Sequence, residues 1–205
     1  ITEKQVLASV GQGILMKSYE TLFEEFDITV GQVLLTKDDL ASAKRSSLCK
    51  NTLEEMLSRS IVPIINENDT VAVEEIRFGD NDSLSASVAV LIGADLLVLL
   101  TDTEGFYDKN PQTNSDARLI AAVAVIDESV LELAKGTHND QVGTGGMITK
   151  VWAANTAMEH GIPTVIANGS TPDVLSSIMA GEIIGTLFHH DKDFSGSKLG
   201  QGGAK

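Results

Sequence analysis

Apolar residues recur at helical spacing over the first part of the chain. Val6, Val10, Ile14 and Leu22 fall on one side of a helix opening at Thr2, with Leu7, Leu15 and Phe26 beside them. The pattern then changes, and the β-rich run Thr29–Leu35 predicts a strand. A second helical stretch near Ser42–Ser60 has Leu48, Leu53 and Leu57 as its expected inner stripe. Ile61-Val62-Pro63-Ile64-Ile65 is an apolar run of strand length, closed by the polar cluster Asn66-Glu67-Asn68-Asp69. Val71, Val73, Ile76 and Phe78 then predict an irregular extended arm or hairpin. Asp80 or Asn81 can cap a helix over Ser83–Gly93, and Leu96–Leu100 reads as a strand ending in Thr101-Asp102. Arg118–Ile126 is strand-like, Glu128–Lys135 helical, and a Gly-rich turn at 143–146 opens a helix running to about His160. Thr164–Ala167, Pro172–Met179 and Gly185–Phe188 complete the pattern as strand, helix and strand.

Continuously apolar strands that alternate with helices require a mostly parallel sheet covered on both faces. The expected fold is therefore α/β, a three-layer αβα sandwich with a mostly parallel central sheet. One domain is expected over residues 1–190, and 191–205 read as a flexible tail with little to bury. In such sheets ligands bind beyond the carboxyl ends of the strands. Asn66–Asp69, Asp80–Asp82, Thr101-Asp102 and Asn168-Gly169 all follow strands or open helices, so they are expected on one edge.

Charge narrows the partners. Fifteen Lys and Arg against 29 Asp and Glu give −14, a field that repels nucleic acid and anionic membrane at long range. Any phosphate must then be received locally, by backbone N–H groups, a metal or one placed lysine. Cys49, the single cysteine, cannot form an internal disulfide; this suits a reducing cytoplasm, and it reads as a plain helix residue. No apolar run reaches the roughly 18 residues of a membrane span. Aromatics are only 4% of the chain, so Val, Ile, Leu and Ala must build the core, with Met147 and Trp152 read as part of it.

Four clusters can carry chemistry. In Gly143-Thr144-Gly145-Gly146-Met147-Ile148-Thr149-Lys150 the glycines allow close approach of backbone N–H groups to a phosphate, the helix start adds partial positive charge, and the Lys150 ammonium can reach back. The alternative is a glycine-rich helix cap with a solvated lysine. Asp80-Asn81-Asp82 exceeds the need of one cap, and Asn66–Asp69 combines carboxylates and amides suited to an amino acid's two charged groups. Thr101-Asp102 ends a strand, where a plain turn is equally served. No metal site is expected from the protein's own side chains.

Taken together, these runs resemble the amino acid kinase family, and within it the branch that phosphorylates glutamate. The likeness is carried by Ala8–Gln12, Gly31–Thr36, Val62–Asp69, Phe78–Ala86, Gly143–Lys150 and Gly185–Phe188. It implies ATP-dependent phosphorylation of the γ-carboxylate of L-glutamate in proline synthesis, in the cytoplasm. Asp69 and Asn81 would bind glutamate, and Asp82 would organise the catalytic lysines. Thr101, Asp102, Thr144, Gly145, Gly146, Met147, Ile148, Thr149 and Lys150 would bind ATP, with Lys150 stabilising the transferred phosphoryl group and Mg²⁺ bridging the phosphates. Proline as feedback inhibitor and a homo-oligomer, dimer or tetramer, are implied too. The family's first strands, with a second phosphate-binding lysine, are expected ahead of Ile1 as about 60 further residues. A PUA domain is not expected here. A non-catalytic glutamate- or proline-binding module of the same fold, or another amino acid kinase, are the alternatives.

Overall fold

In a computed structural model, which describes residues 2–72, 80–136 and 146–190, the chain divides into two units, Ile1–Leu84 and Ser85–Lys205. In the first, helix α1 (Thr2–Glu24) leads to strand β1 (Val30–Leu35). Two helices, α2 (Lys37–Ala41) and α3 (Ala43–Ser58), then return the chain to β2 (Val62–Glu67). A parallel pair needs such a crossover, and β1 and β2 are parallel from Val30–Val62 to Leu35–Glu67.

Local chemistry sets the helix starts. Asp39 accepts from the Thr36 hydroxyl at 2.6 Å and the Thr36 N–H at 2.8 Å, while the Asp39 N–H reaches the Thr36 hydroxyl at 3.3 Å. This reciprocal capping box satisfies donors that the first turn of α2 leaves unpaired. Ser42 caps α3 in turn. Of the expected α3 stripe only Leu53 is buried, at 1% exposure, whereas Leu48 and Leu57 face solvent. The inward face instead runs through Ser46, Cys49, Leu53 and Met56, which follow helical spacing more closely than 48, 53 and 57 do. On α1, Met16 is buried while Val6, Val10, Ile14 and Leu22 are all at least 58% exposed.

Helix α4 (Asn81–Ile92) runs from the first unit into the second. There the strands β3 (Leu97–Thr101), β4 (Ala122–Val123), β5 (Thr164–Asn168) and β6 (Thr186–Phe188) form one sheet in the order β3-β5-β6-β4. β3 with β5 and β4 with β6 are parallel, and β5 with β6 is antiparallel. Alternating side chains give the sheet two apolar faces. Leu97, Leu99, Ile166, Phe188 and Val123 meet apolar residues of α4, of α5 (Glu128–Gly136) and of α6 (Met147–Glu159) on one side. Val165, Ala167, Val98 and Leu187 meet α7 (Val174–Met179) on the other. The αβα layering expected from the sequence is thus realised in this unit. Ala153, Ala154 and Ala157, each at most 2% exposed, present only methyl groups to the sheet and let α6 lie close against it.

Three sequence readings need correction or completion here. Trp152 is 52% exposed, because residues 147, 150, 151, 154, 157 and 158 take the inward face of α6; Met147 is in the core as expected. Arg118–Ile126 contributes only the two residues of β4 and one bridge between Leu119 and Tyr107. Backbone bonds continue on either side, from the Asp108 N–H to the Arg118 carbonyl and from the Ile120 N–H to the Phe106 carbonyl. The buried Thr186 hydroxyl adds to them, accepting from the Phe106 N–H at 2.8 Å and donating to the Ile120 carbonyl at 2.6 Å. The predicted arm from Val71 lies outside the described residues beyond Ala72, as do Gly143, Thr144, Gly145 and the tail 191–205. Among the described residues no helix is long and apolar enough to cross a membrane.

Two outcomes follow from this packing. Gly185 has φ +76°, and a Cβ there would run into the Ile166 carbonyl oxygen, so the antiparallel approach of β6 to β5 depends on it. Gly185→Ala should lower stability by about 3 kcal/mol or more, read as a lower urea midpoint; an unchanged midpoint would refute the packing argument. The hydrogen bond from the Thr36 hydroxyl holds the Asp39 carboxyl below its ordinary range, against desolvation and helped by the Thr36 N–H and the Arg45 charge. A depressed folded-state pKa means stability that is present above the unfolded value and lost as pH falls through the folded one. The unfolding temperatures of wild type and Asp39→Ala should therefore differ most near neutrality and converge in acid, below a pH of about 4.

Candidate functional site

In the first unit the parallel register brings Leu35 and Glu67, the carboxyl ends of β1 and β2, to the same edge. The Asn68 N–H closes on the Leu35 carbonyl at 2.8 Å, and the Val71 and Ala72 N–H groups turn back on the Asn68 carbonyl at 3.2 and 3.0 Å. This turn holds Asp69 at the rim of a cleft of about 490 Å³, shared by α1, β1 and β2. Glu67 and Asp69 are the ionisable groups among its lining residues; Gln12, Gln32, Asn66 and Thr70 supply amides and a hydroxyl. Carboxylates there favour an ammonium group, and amide N–H groups can donate to a carboxylate. Such a cleft matches the two charged ends of an amino acid.

Asp80 accepts from the Ser83 N–H at 2.7 Å and the Ser83 hydroxyl at 3.3 Å, which makes it the cap of α4. Capping therefore accounts for Asp80, while Asn81, exposed, and Asp82, half-buried, stand on the first turn beyond it. Cys49 has no place in this chemistry: burial first, and the Asp39 charge second, push its thiol pKa up, so it stays protonated.

The second unit presents a different surface. α6 precedes β5, which it packs against, and so runs antiparallel to it, with its N-terminus at the carboxyl edge of β5 and β3. At that edge Thr101 pairs with Asn168, and the Gly169 N–H donates to the Thr101 carbonyl at 2.8 Å. The Thr101 hydroxyl donates to the exposed Asp102 at 3.2 Å. Gly146 is the N-cap of α6 in extended backbone and contributes no side-chain bond. The Thr149 N–H and hydroxyl both turn to the Gly146 carbonyl, at 3.1 and 2.7 Å. Met147 is buried and Ile148 half-buried on the same first turn. Lys150 follows one turn in, with only 9% of its surface exposed. A helix start whose cap offers no side-chain acceptor, with a sequestered cation beside it, suits an anion such as phosphate.

The clusters expected on one edge are thus described as two groups, one in each unit. Asp69 stands with Asn66 and Glu67 at the cleft, and Thr101 and Asp102 stand with the start of α6. Thr144 and Gly145 lie outside the described residues. Gln12, Gln32, Ser9 and Thr70 were not singled out as site residues by their types. A signal existed: Gln5, Ser9 and Gln12 fall at i, i+4 and i+7, a polar stripe between Val6, Val10 and Ile14.

Comparison with known proteins gives this geometry a context. A family model described as the amino acid kinase family matches residues 1–168. A glutamate 5-kinase of Geobacter sulfurreducens is 51% identical over 193 residues, covering 94% of this chain and 52% of that protein. A glutamate 5-kinase of Clostridium acetobutylicum is 52% identical over 188 residues, 92% of this chain and 70% of its own length. The chain thus spans between about half and 70% of the length of these relatives. Two solved structures share the fold at low identity. A UMP kinase from Bacillus anthracis superposes with TM-score 0.61 at 15% identity, over 93% of this chain and 70% of that one. An isopentenyl phosphate kinase gives TM-score 0.59 at 18% identity, over 86% and 66%. The parallel αβα architecture, the glycine-capped helix with its buried lysine and a match over most of its length agree: the chain belongs to the amino acid kinase family, on its glutamate 5-kinase branch.

Proposed function

We propose that this chain carries the site that transfers the γ-phosphoryl group of ATP to the γ-carboxylate of L-glutamate, an early step in making proline. The observation that carries the reading is the near-complete burial of Lys150 on the first turn of α6, at the carboxyl edge of β3 and β5. In a chain of net charge −14 a sequestered cation at a helix start is a local provision for transferred phosphate. The names of the relatives support glutamate as acceptor.

In this reading an oxygen of the γ-carboxylate forms a bond to the γ-phosphorus as the bond from that phosphorus to the β–γ bridging oxygen breaks. ADP leaves with the electron pair, and γ-glutamyl phosphate remains. A carboxylate is ionised at neutral pH, so no base is needed. Catalysis then rests on placement and on neutralising charge over the transferring oxygens. Lys150 supplies positive charge to them, and Asp82 keeps ammonium groups in orientation. Thr101, Asp102, the 144–149 segment and the α6 start receive the nucleotide, while Asp69 and Asn81 receive the amino acid. Among the described residues no group of three or more His, Cys, Asp or Glu is arranged to hold a metal. In this reading Mg²⁺ comes with the nucleotide, where it would supply further neutralisation. Proline fits the same reading as an inhibitor, since it shares the ammonium and carboxylate that the cleft suits. Further copies of the chain are the expected partners, supported by the exposed apolar side of α1. A cytoplasmic setting is in keeping with the lone thiol.

The test is ADP release by the full-length protein with L-glutamate, Mg-ATP and a hydroxylamine trap. Turnover should require glutamate, and Lys150→Ala should reduce kcat by about 100- to 1,000-fold. Asp69→Asn should raise KM for glutamate well above any change in KM for ATP. Release of ADP independent of glutamate, or a Lys150→Ala enzyme within a few-fold of wild type, would overturn the reading.

A further inference from the structure

The turn that carries Asp69 is gripped at both ends by one side of α1. At its start, the Asn66 amide donates from Nδ2 to Gln12 Oε1 at 3.0 Å. Gln12 Nε2 donates in turn to Gln32 Oε1 on β1, also at 3.0 Å. With Nδ2 so engaged, Asn66 turns Oδ1 toward the chain, where it accepts from the Glu67 N–H at 2.9 Å. At the far end, Gln5 Nε2 donates to the Thr70 carbonyl at 3.2 Å, and the Ser9 hydroxyl stands 3.4 Å from the Thr70 hydroxyl. Asp69 lies between these anchor points, and Ser9, Gln12, Gln32, Asn66 and Thr70 all line the cleft with it.

A primary amide is the side chain that can both accept and donate in one such relay. Gln12 uses both capacities, and its two partners lie on two different strands. An aliphatic residue there would fill the space but leave the Asn66 amide free to rotate. The contacts within the relay are exposed or half-buried, so they add little to global stability, whereas the orientation they impose acts directly on the turn.

We infer that Gln12 is a positioning residue for the amino-acid subsite: through Asn66 it sets the conformation of the 66–70 turn, and so the place of Asp69, with Gln5 and Gln32 as its supports. This rests on the phosphoryl-transfer reading above and names residues that decide substrate affinity without touching the phosphoryl group.

The experiment is steady-state kinetics of the full-length protein, with KM for glutamate, KM for ATP and kcat measured separately and unfolding temperature recorded alongside. Gln12→Met should raise KM for glutamate by about three- to tenfold, the scale of one or two lost hydrogen bonds, with kcat and KM for ATP within twofold. Gln32→Met, which removes only the outer support, should give a smaller rise in the same constant. Ser18→Ala, on the same helix and outside the cleft lining, should move none of them. An unchanged KM for glutamate in Gln12→Met would overturn the inference, as would equal changes in both KM values. Should Gln12→Met fail to fold, Gln32→Met and Gln5→Met decide by the same split. Wild-type protein that turns over without glutamate would defeat the phosphoryl-transfer reading itself, an outcome visible before any variant is compared.

Discussion

Parallel strand pairing is the constraint from which the rest of this molecule follows. Two parallel neighbours cannot be joined by a tight turn, so each pair demands a crossover through helices. α2 and α3 make that connection between β1 and β2, and α6 is the last helix before β5 joins β3. Both crossovers leave the carboxyl ends of paired strands side by side, where the chain must leave the sheet and its polar groups are free to meet ligands. Asn66–Thr70 in the first unit and Thr101, Asn168 and the start of α6 in the second are in these positions for that reason. The chemistry is a consequence of topology before it is a consequence of residue type.

That dependence explains what was legible in the sequence. Leu97–Leu100 and Val165–Ala167 are apolar at every position because the sheet is covered on both faces, which is why they read as buried parallel strands. The polar runs that stop such strands, at 66–69 and 101–102, are conspicuous against them, while 80–82 stands out at a helix start as more than one cap requires. Helix faces were less legible. On α3 only Leu53 of the expected stripe is inward, since Leu48 and Leu57 are no less apolar and only the crossing geometry decides between them. On α6 Trp152 looked like core by its size, yet the face toward the sheet is claimed by alanines whose value lies in being small.

Long-range polar contacts were the least legible of all. Nothing in the types of Gln12, Gln32 and Asn66 announces that three amides, 20 and 54 residues apart, form one relay. The same holds for Thr186, whose hydroxyl joins Phe106 to Ile120 beside the backbone bonds of Arg118–Val123. In both cases a side chain adds a tie between segments that backbone pairing alone does not supply. Pattern reading detects repeating burial, and a single hydrogen bond across the fold has no period to detect.

The charge balance completes the argument. A chain of net −14 repels a nucleotide at a distance, and screening confines that repulsion to about 10 Å at moderate salt. Once the phosphates are closer than this, the immediate surroundings matter more than the sum. A lysine with only 9% of its surface exposed acts through a medium less polarisable than water, so its attraction for phosphoryl oxygens is stronger than that of a surface lysine. In the proposed reading the acidic cleft of the first unit obeys the same logic with the opposite sign: Glu67 and Asp69 disfavour a bare anion, so an amino acid would enter well only if its ammonium met them. Selectivity for a zwitterion over a simple dicarboxylate then needs no further device than two carboxylates held in place beside a set of amides.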